Sequence, residues 1–143
     1  MEETRPIVKY LDKEALILIN SSVIQLENPK SELGGLLHCP NSFEYLLGIV
    51  KDDDFFPTLE EKAAQYCFKI ITDHIFLDGN KRAGMAAVIW FLERNTAYLE
   101  PLSSDNIVNV TLSIATHKMD LKKLVNWIRK RIRFSESTTS QIV

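Results

Sequence analysis

The sequence predicts an all-α fold, a compact helical bundle with a buried central helix and a short irregular or hairpin flap. Three observations carry that expectation. Apolar residues recur mostly at spacings of three and four, the period of one helix face. Glycine is scarce, five in 143 residues. The stretch 83–92 is apolar nearly all round, which marks a helix covered by neighbours on every side.

The elements follow in chain order. Asp12 can cap the orphan amides of a first helix, whose apolar face reads Leu16, Ile19, Val23 and Leu26 before Asn28-Pro29 stops it. Residues 34–41 read as an irregular or extended segment with a turn, and a short helix follows over 42–50. In Pro57-Thr58-Leu59-Glu60-Glu61, Thr58 and Glu61 stand at capping-box spacing. The helix they start presents Leu59, Ala63, Tyr66, Cys67, Ile70 and Ile71 to a core and ends within 72–75. The central helix spans 79–94, ends at Asn95-Thr96, and carries Ala83, Gly84, Ala86 and Ala87, which allow close backbone approach. Two shorter amphipathic helices fit 103–115 and 120–132, the second with the stripe Leu121, Leu124, Val125, Ile128 and Ile132.

No repeat or polar linker divides the chain, so one domain is expected over 1–134. The run Ser135-Glu136-Ser137-Thr138-Thr139-Ser140 predicts a flexible tail over 135–143. With 45% hydrophobic and 25% charged residues, the composition excludes collagen-like, mucin-like and wholly disordered classes. A formal net charge of −2 argues against bulk electrostatic capture of DNA, RNA or an anionic membrane. No apolar run approaches the roughly 20 residues of a membrane-spanning helix, and the acidic start Met1-Glu2-Glu3 is not that of a secretory signal. Cys39 and Cys67 have no partner at metal-site spacing and read as reduced thiols. The expected compartment is the cytoplasm.

One stretch carries chemistry: His74-Ile75-Phe76-Leu77-Asp78-Gly79-Asn80-Lys81-Arg82, at the junction of two helices. The first turn of a helix has unpaired amides and the positive end of the macrodipole, so it attracts anions, phosphates above all. Gly79 removes a Cβ from the path of such an anion, and Lys81 and Arg82 add positive charge. Asp78 would repel a phosphate directly, so a carboxylate here suggests Mg²⁺ bridging carboxylate and phosphate oxygens. His74 is a candidate general base for an attacking hydroxyl. Together these parts suit phosphoryl or nucleotidyl transfer. Singly, each has a plainer reading: a hydrogen-bonding histidine, an ordinary Asp-Gly-Asn turn, a solvated Lys-Arg pair.

The stretch resembles the signature of the Fic/Doc family, His-x-Phe-x-(Asp/Glu)-(Gly/Ala)-Asn-x-Arg, matching it at His74, Phe76, Asp78, Gly79, Asn80 and Arg82. Helix order and length agree over nearly the whole chain, so the resemblance implies a Fic-like bundle with its flap near the active site. It implies His74 as the base, Asp78 as the Mg²⁺ ligand, and Gly79 and Asn80 as donors lining an anion hole. Arg82 would grip the phosphates of ATP, and Phe76 would anchor the loop.

The departures point to the short Doc (death-on-curing) branch, the toxin half of toxin–antitoxin pairs. Members that transfer AMP typically have glycine where this chain has Lys81, and a second arginine where it has Met85. The Doc branch moves the terminal phosphate of ATP to a threonine of elongation factor Tu and so stops translation. The resemblance thus implies kinase chemistry, with AMP transfer to a protein hydroxyl as the alternative and a catalytically silent binding module as a second one. Doc-like chains often carry Gly-x-Arg-Asp upstream, where this chain reads Gly35-Leu36-Leu37-His38; His38 and His117 read as ordinary surface or turn residues. Self-inhibiting members carry (Ser/Thr)-x-x-x-Glu-(Gly/Asn). Glu27-Asn28 has that ending, but Val23 stands where the hydroxyl belongs. That favours inhibition in trans by a Phd-like antitoxin. Lys118, Lys122, Lys123, Arg129, Lys130, Arg131 and Arg133 against Asp120 make the last helix basic. No recognition-helix pattern accompanies that charge, so it reads as a solvated face or a seat for an acidic partner rather than a nucleic-acid site.

Overall fold

Local side-chain chemistry sets where the helices begin. Asp12 accepts the Ala15 amide and opens α1 (Lys13–Glu27). Pro40, with no amide to satisfy and a φ already suited to a first turn, opens α2 (Pro40–Ile49). Thr58 accepts the Glu61 amide at the head of α3 (Leu59–Thr72), while α4 (Asn80–Arg94) follows Gly79 with no side-chain cap. After strand β1 (Ala97–Leu99), Ser103 and Asn106 form a reciprocal capping box for α5 (Ser104–Ala115). Asp120 accepts the Lys123 amide to start α6 (Leu121–Arg129), and strand β2 (Ile132–Phe134) closes the order. This computed structural model describes residues 7–135, and it is mainly helical, as the sequence predicts. The tail expected over 135–143 lies, apart from Ser135, outside the described residues.

The α3–α4 pair is the centre of the molecule. α4 also packs on α1, α5 and β1, and α3 on α2, α5 and α6. Close approach of the pair depends on Gly84: a Cβ there would lie 3.0 Å from Ile71 Cγ1 and 3.2 Å from the Cys67 carbonyl oxygen. Ala83, Ala87, Val88, Phe91 and Leu92 of α4 are fully buried, whereas Trp90 is partly exposed, so the cover is not complete on every side. Tyr66 of α3 fixes the chain ahead of α1, donating its hydroxyl to the Leu11 carbonyl at 3.1 Å and accepting the Leu11 amide at 3.0 Å. Lys62, 1% exposed, is buried yet charged: it donates to the Val50 carbonyl and to Asp53 at 2.8 Å, beneath the Tyr10 ring.

Several boundaries differ from the sequence reading, each for a local reason. The buried face of α1 is Leu16, Ile19, Asn20 and Ile24; Leu26, two residues past Ile24, falls on the opposite side and is 84% exposed. α2 starts earlier than expected because Pro40 is a first-turn residue and not a turn breaker. The Thr58 box is half formed, since Glu61 receives the Thr58 hydroxyl at 2.8 Å instead of reaching the Thr58 amide. α6 stops at Arg129, and Ile132 belongs to β2, paired antiparallel with Leu99. Two three-residue strands are too short to show alternation in a sequence.

Burial pushes the Cys67 thiol up to about 12. An unfolded thiol ionises from about pH 8.5, so this contribution to stability is fully present below that pH. It is lost as pH rises toward the folded value, because the unfolded state sheds its proton first. Urea unfolding at about pH 8 and about pH 10.5 should show a loss on the order of 2 kcal/mol from this group. Cys67→Ala should flatten that part of the pH dependence.

Candidate active site

The loop between α3 and α4 is built around two side chains that face inward. α3 ends at Thr72, and His74 takes a left-handed conformation at φ 47°, which turns the chain sharply. Ile75 and Phe76 then enter the core, Phe76 packing on Phe43 of α2 at 5.8 Å between ring centroids. His74 before them and Asp78 after them stay exposed. The loop thus presents a base and a carboxylate on either side of a buried anchor.

Three contacts hold the loop in register. Asn80 accepts the Phe76 amide at 2.9 Å and returns its own amide to the Phe76 carbonyl at 2.8 Å. Asn20 of α1, fully buried, donates to the Asp78 carbonyl at 2.8 Å and accepts the Gly35 amide at 2.8 Å. The segment 36–39 lies alongside as the expected flap: Leu37 and Phe76 form an isolated antiparallel bridge, Leu77 donates to the Leu36 carbonyl, and His38 and Cys39 both donate to the Ile75 carbonyl. Nδ1 of the His38 ring also lies 3.0 Å from the His74 carbonyl oxygen.

The structure brings all seven sequence-predicted residues to one loop and the helix turn that follows it, and it gives Gly79 and Asn80 structural work there. Gly79, at φ 74°, would direct a Cβ inward, 3.1 Å from Ile24 and 3.3 Å from the Asn20 amide. The glycine therefore answers to backbone conformation and to α1 packing, not to the approach of a ligand. Asn80 accepts with Oδ1 from the Phe76 amide and gives one Nδ2 hydrogen to the Phe76 carbonyl, so its side chain closes the loop and keeps a second N–H. Asp78 accepts the Gly79 amide on Oδ1 at 2.8 Å while remaining exposed. A single outward carboxylate fits Mg²⁺, which takes one or two carboxylates together with substrate phosphates and water. No cluster of three or more metal-ligating acids, histidines or cysteines exists among the described residues.

The first turn of α4 carries no acid and no side-chain cap, the Asp78 carboxylate reaching only the Gly79 amide ahead of it. Lys81 and Arg82 are exposed there and line a groove of about 300 Å³ with Ser104, Ile107, Val108, Thr111 and Leu112 of α5. Arg82 meets Glu27, the last residue of α1, at 3.2 Å. Both side chains are more than half exposed, the regime in which an ion pair is worth little and a phosphate can displace it. Asn20 escaped the sequence reading, and so did the contact of His38, read as an ordinary surface or turn residue, with the His74 carbonyl. The signal for Asn20 was a polar residue inside an apolar helix face; for His38 there was none. His117 lies in the turn between α5 and α6, apart from the site. Part of the basic charge of α6 and of the turn after it is spent on structure: Arg129 pairs with Glu60 at 3.3 Å, and Arg131 stacks over Trp127 at 4.0 Å.

The family model for the Fic/DOC family matches residues 10–92, a span that takes in α1 to α3, the whole loop and α4 as far as Leu92. The comparison with curated proteins finds no match. No helix among the described residues is long and apolar enough to cross a membrane.

Asn80→Ala removes both bonds to Phe76 and leaves a half-buried amide and carbonyl without partners. It should lower stability by about 1–3 kcal/mol in denaturant titration. Asn80→Asp keeps an acceptor for the Phe76 amide but sets a carboxylate against the Phe76 carbonyl, and it should rescue less than half of that loss.

Proposed function

The chain belongs to the Fic/DOC family, and from that premise we propose a Doc-type kinase, the toxin of a toxin–antitoxin pair, that moves the γ-phosphate of ATP to a hydroxyl of a protein target. Members of the family are typically transferases that modify proteins. The proposed target is the threonine of elongation factor Tu, with arrest of translation as the consequence. The observation that carries the choice of phosphate over AMP is position 85. Met85 is 2% exposed, within the hydrophobic core, so the turn beyond Arg82 offers no second cation for a triphosphate.

His74, exposed at the edge of the loop, takes the proton of the target hydroxyl as its oxygen bonds to the γ-phosphorus. The bond from that phosphorus to the β–γ bridging oxygen breaks, and ADP leaves. Backbone amides at the start of α4, with Lys81 and Arg82, receive the phosphate oxygens and the charge that develops on them. Asp78 would hold Mg²⁺, which would supply positive charge against the phosphates of the nucleotide. Phe76 and Asn80 keep the loop in place for these groups. Inhibition falls to a Phd-like antitoxin in trans, since the Glu27–Arg82 pair is too exposed to hold nucleotide out by itself.

ATP labelled separately at the α and γ phosphates, given with Mg²⁺ and elongation factor Tu, separates the readings. The γ label should pass to protein and be lost in His74→Ala. Transfer of the α label points to the AMP reaction, and transfer of neither, with cellular effects unchanged in His74→Ala and Asp78→Ala, points to a silent binding module. Glu27→Ala should tighten ATP binding by no more than about fivefold, measured calorimetrically, because an exposed ion pair contributes only about 0.2–1 kcal/mol.

A further inference from the structure

We propose that His38 is a positioning residue for His74: through its ring Nδ1–H it holds the backbone that aims the catalytic imidazole. The proposal rests on the reading of His74 as the base. His74 sits at φ 47°, a conformation that costs an L-residue with a Cβ about 1–2 kcal/mol and therefore needs support from its surroundings. Support within the loop itself is thin. The His74 amide reaches the Ile71 carbonyl only at 3.4 Å, and the next amide, of Ile75, reaches the Ile70 carbonyl at 3.3 Å. Asn80 and Asn20 act farther along, at Phe76 and Asp78.

His38 supplies what the loop lacks. Its Nδ1 lies 3.0 Å from the His74 carbonyl oxygen. A carbonyl only accepts, so Nδ1 carries the proton in this contact, in the neutral ring as in the charged one. The same residue is fixed from its own backbone, since its amide donates to the Ile75 carbonyl at 2.7 Å. A backbone bond and a ring bond from one residue therefore grip two successive carbonyls, those of His74 and Ile75. Cys39 Sγ lies 3.5 Å from the same ring nitrogen, at the long end of a sulfur contact, and it does not replace the carbonyl as partner. Rotation of the His74 peptide would swing the imidazole, and misplacement of a reacting group by about 1 Å costs on the order of a hundredfold in rate.

The test compares His38→Ala with His38→Asn, whose side-chain amide can place a donor near the position of Nδ1. Amide hydrogen exchange and the Cα chemical shift, read by NMR on the nucleotide-free protein, report the backbone. His38→Ala should speed exchange at His74 and Ile75 at least fivefold and move the His74 Cα shift, with Cys67 in α3 unchanged; His38→Asn should restore both. In the γ-phosphate transfer assay, His38→Ala should lower kcat at least tenfold with KM for ATP within twofold, and His38→Asn should recover most of kcat. Wild-type exchange and shifts in His38→Ala overturn the proposal, and so does wild-type kcat in that variant. If the wild-type protein transfers no phosphate at all, the reading of His74 as a kinase base falls, and the NMR comparison alone decides whether His38 holds the loop.

Discussion

A buried amide ties the loop of the candidate site to two other segments of the molecule. Asn20 lies on the core face of α1 with no access to water, and its side chain has partners on two other segments, Gly35 of the flap and Asp78 of the loop. A buried amide left without partners costs about 1–3 kcal/mol, so the three segments must keep one relative placement for the fold to be stable. The constraint acts on backbone atoms, and it therefore fixes the path of the chain whatever side chains the loop displays. Asn80 repeats the device from the other side, binding both backbone groups of Phe76. Between these two amides the loop has little freedom.

That rigidity sorts the nine residues of the loop by direction. Ile75, Phe76 and Asn80 turn inward or bind backbone, and their work is to hold shape. His74, Asp78, Lys81 and Arg82 face solvent, and each carries a group that can bind or move charge. The near-neutral total of −2 conceals this arrangement, because it averages two cations on an acid-free helix start with acids elsewhere in the chain. Charge that is unremarkable in composition becomes chemistry once a buried anchor sets its position.

Most of the fold was legible because it is written in short-range patterns. Caps at Asp12 and Thr58 are local rules, and the structure keeps both in at least half form; the helices expected from 103 and 120 also begin there, capped by Ser103 and Asp120. The motif was legible for the same reason, its residues lying within one turn and one helix start. What escaped depends on partners far along the chain. Asn20 reads as a flaw in an apolar face until Asp78, 58 residues away, arrives beside it. His38 reads as a turn residue until the flap lies against the loop, and β1 and β2 exist only because each pairs with the other. The structural work of Gly79 and Asn80 escaped for a related reason: spacing places a residue on the loop, but only packing decides which way it points.

The electrostatics at the junction of α1 and α4 run against helix stability at both ends. Cations are disfavoured at a helix start and carboxylates at a helix end, yet α4 begins with Lys81 and Arg82, and α1 ends with Glu27 and has no basic residue in its last turn. The two misplaced charges meet at 3.2 Å and offset one another, but so exposed a pair recovers only a fraction of a kcal/mol. A sequence selected for stability alone would place an acid in the first turn of α4 and a base in the last turn of α1. Local choices that cost stability without an internal gain concentrate where a protein must bind something. Under the proposed function, an anion at the start of α4 would meet the dipole, the two cations and the backbone amides together and release Glu27 to solvent. The strain is small and local, and it is relieved by the class of ligand that the proposed reaction brings.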